Sequence, residues 1–152
     1  MKLVWILVMA LNTTFANAAD VGAIAPPSVA EHLDAARAAI AKKGWGRALY
    51  DLQAAARQEP GNAEIHNLLG YTYRMRDTPN LPKAFEHYNK ALEINPNHRG
   101  AHEYIGEAYL MDKKPDQAQK HLDALEKICG NKTCEEYDDL AKALAEYRKN
   151  KP

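Results

Sequence analysis

Serine, phenylalanine and cysteine are scarce in this chain, and net charge is absent. Only Ser28 offers a serine hydroxyl among 152 residues, and the 20 basic residues are matched by 20 acidic ones. Ser28 follows Pro26-Pro27 and precedes an apolar-periodic stretch, which is the place of a helix cap rather than of a nucleophile. No glycine-rich loop follows a strand-like run, and no acidic pair stands out, so no catalytic residue and no cofactor is assigned and the chain reads as a non-enzyme. Without a basic stripe or a block of like charge, neither nucleic acid nor an anionic membrane surface is an expected partner. The N-terminal apolar run, Leu3 to Leu11, is too short to span a bilayer well.

That run has a different use. Lys2 gives a basic start, and Ala16-Asn17-Ala18 gives a small-residue cleavage site. Together they form the secretory signal pattern, so residues 1–19 are read as a removed leader. No cysteine stands at the cleavage site to take a lipid anchor. The expected location is the bacterial periplasm, as a soluble protein that is neither a lipoprotein nor inserted in a membrane. Residues 20–28 read as a flexible lead, and the remaining chain is sized for one domain.

The two cysteines, Cys129 and Cys134, lie in CGNKTC between two helical segments. In an oxidising compartment a local disulfide follows, worth about 2–3 kcal/mol by loop-closure entropy. Its expected role is to fix how the last helix leaves the segment before it. A redox pair would have two intervening residues at a helix start after a strand; here four intervene.

The rest is organised around Ala63 to Pro96, a complete helical hairpin. Leu68, Leu69, Gly70 and Tyr73 share one face of its first helix, Thr78 to Pro82 is a turn, and Ala84, Tyr88, Ala91 and Leu92 face back from the second. Gly70 and Tyr73 recur 36 residues on as Gly106 and Tyr109, and Ala84 and Ala91 recur 34 residues on as Ala118 and Leu125. Upstream, Ala48, Leu52, Ala55 and Pro60 precede Ala84, Tyr88, Ala91 and Pro96 by 36. A period near 34 with helical pattern inside each copy marks a solenoid. With Leu69, Gly70, Tyr73, Ala84, Tyr88 and Pro96 in the middle copy, and Ile105, Gly106, Tyr109, Ala118 and Leu122 in the third, the chain resembles the tetratricopeptide repeat family. Ala36 and Ala39 mark a degenerate first copy. The resemblance implies an all-α, right-handed superhelix over residues 29–150, with repeats at 29–62, 63–96 and 97–130 and a capping helix at 134–149.

Punctuation fits that frame. Ser28 and Glu31 form a capping box, Gly44 ends the first helix, and Trp45 is expected in the turn, packed over the hairpin. Asn62 caps the next repeat. Glycine inside a helix is unfavourable by about 1 kcal/mol, so Gly70 and Gly106 mark close crossings by a partner helix. Thr133 and Glu136 are the expected cap of the last helix. Tyr137, Leu140, Leu144 and Tyr147 form its inner face, with Glu146, Arg148, Lys149 and Lys151 outside.

In this family the first helix of each pair lines a concave groove that takes a peptide or partner helix. Its expected lining here is Arg37, Asn67, Tyr71, Arg74, Met75, Glu103, Glu107 and Met111, with Leu33, Ile40 and Leu110 beside them. Arg37 and Arg74 would meet an acidic residue or a terminal carboxylate, and Asn67 a peptide backbone. The family's carboxylate-gripping variety, which holds chaperone C-termini, uses a basic residue and two asparagines; only Asn67 comes near that set, so this specificity is not carried over. His32, His66 and His102 are equivalent, as are His87 and His121, but equivalent helices stand roughly 10 Å apart, so no metal site is assigned. His98 and His102 make at most a weak surface pair. The expected function is a periplasmic protein-binding adaptor of non-catalytic type; self-assembly through its end faces is the alternative, and a metal or small-ligand carrier ranks below both. The chemistry of the cysteine loop gives one immediate expectation: thiol titration of exported protein finds no free thiol until reductant is added.

Overall fold

The computed structural model describes residues 25–150; the expected leader over residues 1–19, residues 20–24 of the expected lead, and residues 151–152 lie outside the described residues. Seven helices follow one another: α1 (Val29–Ala41), α2 (Trp45–Gln58), α3 (Ala63–Met75), α4 (Leu81–Ile94), α5 (Arg99–Met111), α6 (Pro115–Cys129) and α7 (Glu135–Lys149), with no strand among the described residues. Helices of this length are marginal alone in water, so packing must hold them. Each pairs with its neighbour as an antiparallel hairpin (α1 with α2, α3 with α4, α5 with α6), and α7 lies against both α5 and α6. The result is the all-α stack of helical hairpins that the repeat pattern implies.

Small residues set the spacing. Ala36, Ala48, Ala55, Ala84, Ala91, Ala101, Ala108 and Ala118 are all 0% exposed. They let backbones approach while larger side chains fill the gaps: Leu52, Ile65 and Leu69 between the first two hairpins, Tyr88 and Ile105 between the second and third, and Leu122, Leu125, Leu140 and Leu144 under α7.

Local signals start and stop the helices. Ser28 and Glu31 make both halves of a capping box, the Glu31 carboxylate accepting the Ser28 amide at 2.7 Å. Asn62 accepts amides of Glu64 and Ile65, and Asn80 that of Lys83. The turns after α1 and α5 are alike. Lys43 (φ 54) and Lys113 (φ 59) both take left-handed backbone, and Gly44 and Lys114 amides reach back to Ala39 and Tyr109 carbonyls at 2.8 Å. This tight reversal uses only Lys42 to Gly44, so Trp45, expected in the turn, is instead the first residue of α2. Its indole borders a hollow shared with Arg76, Asp77 and Thr78 of the next turn.

The entry to α7 also departs from expectation. Cys134, not Thr133, is its N-cap, and no side chain accepts there. Cys134 is bonded to Cys129, which ties the helix start to the end of α6, and the Thr133 amide and hydroxyl turn to Asn131 Oδ1 at 2.9 and 2.8 Å. Gly130 ends α6 at φ 70, a backbone that suits glycine. Glu135, Glu136 and Asp138 in the first turn of α7 oppose its uncapped amides.

Both helix-interior glycines mark close approaches, with different partners. A Cβ on Gly70 would stand 2.5 Å from Tyr88 Cδ1 and Cε1, in α4 of the same hairpin. A Cβ on Gly106 would stand 2.6 Å from Leu140 Cδ2, which belongs to α7 rather than α6. The last helix therefore takes, for the third hairpin, the packing role that Tyr88 has in the second. Gly70→Ala improves helix propensity by about 1 kcal/mol but overpacks against a fixed ring, at a typical cost of about 1–3 kcal/mol. Thermal unfolding followed by circular dichroism is expected to show a lower Tm for Gly70→Ala and a larger drop for Gly70→Leu.

Candidate functional site

Two groups of polar side chains stand out: a pair inside each hairpin, and an open groove across α3, α5 and α7.

The pairs occupy equivalent positions. His32 Nδ1 meets Asp51 Oδ1 at 3.0 Å, His66 Nδ1 meets His87 Nδ1 at 3.2 Å, and His102 Nδ1 meets His121 Nδ1 at 2.9 Å. The far nitrogens of His66 and His102 donate to the Pro60 and Pro96 carbonyls at 3.0 and 2.9 Å. Neutral His66 and His102 therefore present a bare Nδ1 that accepts the partner's N–H. Tyr73 and Tyr109 rings stack on His87 and His121. These are hydrogen-bonded staples between the two helices of a hairpin. Comparing histidines between repeats could not find them, because the partner lies within the hairpin. His98 and His102 do not assemble as a pair. His98 Nδ1 caps α5 by accepting from Ala101, and its Nε2 lies 3.4 Å from Glu64. Among the described residues, one group of three potential metal ligands comes together, Cys129, Cys134 and Glu136, and its two sulfurs are bonded to each other.

Burial pushes the His87 and His102 imidazoles below their ordinary range; for His121, burial and then the neighbouring His102 bring the value down to about 4. Asp51 differs: burial would raise its carboxyl, but hydrogen bonds from Arg47 and His32 hold it low.

The groove has a volume of about 730 Å³. Its walls are Tyr71, Arg74 and Met75 of α3; Glu103, Tyr104, Glu107, Leu110 and Met111 of α5; and Ala143, Glu146 and Tyr147 of α7, with Asn150 just beyond. Residues one turn apart on α3 and on α5 share a face, which is why the repeat pattern reaches six of the eight expected lining residues.

Arg37 and Asn67, expected in the groove, lie outside that lining. Arg37 pairs with Glu64 at 3.1 Å and Asp34 at 3.8 Å. Asn67 is 4% exposed, and its amide donates to the same Glu64 at 3.4 Å. Glu64 thus gathers Arg37, Asn67 and His98 from three helices; burial would raise its carboxyl, but these hydrogen bonds hold it low. The α7 wall and Tyr104 were not in the expected lining. Glu146, assigned to the outer face, lines the groove, while Arg148 on α7 reaches Gln119 of α6 at 3.0 Å. Tyr147, at helical spacing from Leu140 and Leu144, carried the available signal for the α7 wall.

Arg74 is the centre of the groove floor. It is 7% exposed, pairs with Glu107 at 2.6 Å and donates to the Tyr88 hydroxyl at 3.3 Å. Its guanidinium lies 5.6 Å from the ring centroids of both Tyr71 and Tyr104. Met75 and Met111 flank the opening, 40% and 44% exposed. Glu103, 9% exposed, has no ion-pair partner among the described residues. Burial, followed by Glu107, Asp139 and Glu136, pushes its carboxyl up to about 8.

An open trough with three tyrosines in its walls lies across a stack of helical hairpins. The solved structures agree on the fold. The TPR2B domain of yeast Sti1, in a complex with pHsp70, superposes with a TM-score of 0.72 at 17% identity, over 81% of this chain and 98% of that one. The chain therefore has the tetratricopeptide repeat fold. No family model matches it, and no curated protein matches it.

The histidine staples carry a pH dependence with a defined sign. Folded His87, His102 and His121 hold protons more weakly than the unfolded chain, so stability is full above about pH 6.5 and declines as pH falls toward 4. Tm measured between pH 7 and 4.5 is expected to fall, and His121→Asp, which copies the His32–Asp51 arrangement, is expected to flatten that fall.

Proposed function

We propose that this chain is a non-catalytic binding module of the bacterial periplasm that holds a segment of a partner protein in the groove across α3, α5 and α7. The trough of about 730 Å³ carries this reading, because Tyr71, Tyr104 and Tyr147 and the exposed Met75 and Met111 offer adaptable apolar contact with polar rims. The likeness to a domain solved with pHsp70 supports a protein or peptide as occupant. The Cys129–Cys134 bond and the leader-like N-terminus support export. No helix among the described residues is long and apolar enough to cross a membrane. With Arg74 already paired to Glu107, the carboxylate-gripping use of arginine expected from repeat position loses its support.

Self-association is the second reading, favoured by Tyr50, which is 62% exposed on α2 of the degenerate first hairpin. One photo-crosslinking experiment separates the two. A benzophenone side chain at position 111 is expected to trap a partner in envelope extracts, while the same probe at position 50 traps none. A covalent dimer of this chain from position 50, with no adduct from position 111, favours self-assembly instead.

A further inference from the structure

The charge in the groove is lopsided. Among the described residues three acidic side chains line it, Glu103, Glu107 and Glu146, against one cation, Arg74. That cation is not free: Glu107 neutralises it, Tyr88 accepts from it, and the Tyr71 and Tyr104 rings flank it. What remains for an occupant is an acidic and aromatic surface, with Glu103 nearly buried and Glu146 exposed. Tyrosine faces attract cations, as their disposition around Arg74 already illustrates. Glu136 and Asp139 of α7 add negative field beside Glu103, although Arg99 lies 3.4 Å from Glu136 and Lys142 lies 3.8 Å from Asp139. No three of these carboxylates converge within bonding reach of one metal ion among the described residues.

Resting on the groove reading above, we propose that the segment held there presents an arginine or lysine side chain to Glu103 and Glu146, between the tyrosine rings of α3, α5 and α7. An acidic residue or a terminal carboxylate finds no unpaired cation among the described residues of the lining. A basic side chain finds the Glu146 carboxylate, the Glu103 carboxyl and three aromatic rings. Its arrival has a further consequence. Glu103, with its carboxyl raised to about 8, is mostly protonated at neutral pH, and a cation beside it favours the ionised form. Engagement at pH 7 therefore releases a proton, which Arg74 and Glu107, already paired, do not supply.

The test uses three blocked nonapeptides with one alanine, leucine and phenylalanine frame, differing only at the centre: arginine, glutamine or glutamate. Titration into the oxidised protein is followed by tyrosine ring resonances and by calorimetry in buffers of different ionisation enthalpy. The arginine peptide is expected to bind about tenfold tighter than the glutamine peptide, the yield of one charge-assisted contact, with glutamate weakest. Added salt narrows that margin, and the arginine peptide shows a buffer-dependent enthalpy that the glutamine peptide lacks. Glu146→Gln, at an exposed position, is expected to cut the ratio of arginine-peptide to glutamine-peptide affinity and its salt dependence; Glu103→Gln removes the proton release. Equal affinity for arginine and glutamine, or a preference for glutamate, overturns the basic-side-chain proposal while groove binding stands. Ring signals of Tyr71, Tyr104 and Tyr147 that stay fixed with all three peptides overturn both.

Discussion

Tyr88 is where packing and groove chemistry meet. Its ring lies over Gly70, so close that a Cβ there would overlap it, and its hydroxyl accepts from Arg74 one turn further along α3. Arg74 in turn reaches Glu107 of α5. One buried phenol thus joins the crossing of α3 and α4 to the junction between the second and third hairpins. The guanidinium is nearly enclosed, and stripping a charge of that kind of its partner typically costs about 3–5 kcal/mol. The partly exposed Glu107 places this pair toward the lower end. The arrangement holds two hairpins in register and consumes the one cation of the groove among the described residues, so the same contacts that stabilise the stack bear on the sign of what the groove can attract.

The hairpin staples show a second economy of design. Each pair puts a histidine of the first helix against a partner on the second, and the partner is aspartate once and histidine twice. Aspartate is charged and joins buried His32 to the exposed Arg47 in a three-member network. The histidine pairs hydrogen-bond through one shared N–H. Both satisfy buried nitrogen atoms, which a helix pair cannot leave bare without loss of about 1–3 kcal/mol. They respond to acid differently because a carboxylate welcomes the second proton and an imidazole does not. The third hairpin differs again at its end, where Leu140 of α7 fills the space over Gly106 and the Cys129–Cys134 bond fixes the entry of that helix.

Much of the groove was legible from repeat position. Tyr71, Arg74 and Met75 on α3, and Glu103, Glu107 and Met111 on α5, stand one turn apart on helices whose buried faces were marked by Gly70, Tyr73, Gly106 and Tyr109. Once the buried face of a helix is known, the opposite and flanking faces follow from 3.6 residues per turn. Arg37 and Asn67 satisfy the same rule yet fall outside, since a third residue, Glu64, draws both. Periodicity assigns a residue to a face; it does not say which neighbour a long polar side chain will choose. Tyr147 was placed on the inner face of the last helix, but that it and Glu146 wall the groove was beyond reach for a related reason. The last helix has no successor, so its orientation is set by contact with α5 and α6 and by the disulfide rather than by any repeat.

The amino-acid order by itself determined the hairpins, their period near 34 residues, the capping box at Ser28, the glycines at the crossings and the cysteine pair. All of these are short-range signals, read within one helix or between copies of one unit. Only the tertiary structure decided that Leu140 rather than a residue of α6 covers Gly106, that His66 meets His87 across its hairpin, and that Arg74 is already taken. The physical reason is common to the three. A buried polar group or a close contact is resolved by whichever partner stands nearest in space, and that partner lies on another helix, at a separation no periodic pattern encodes.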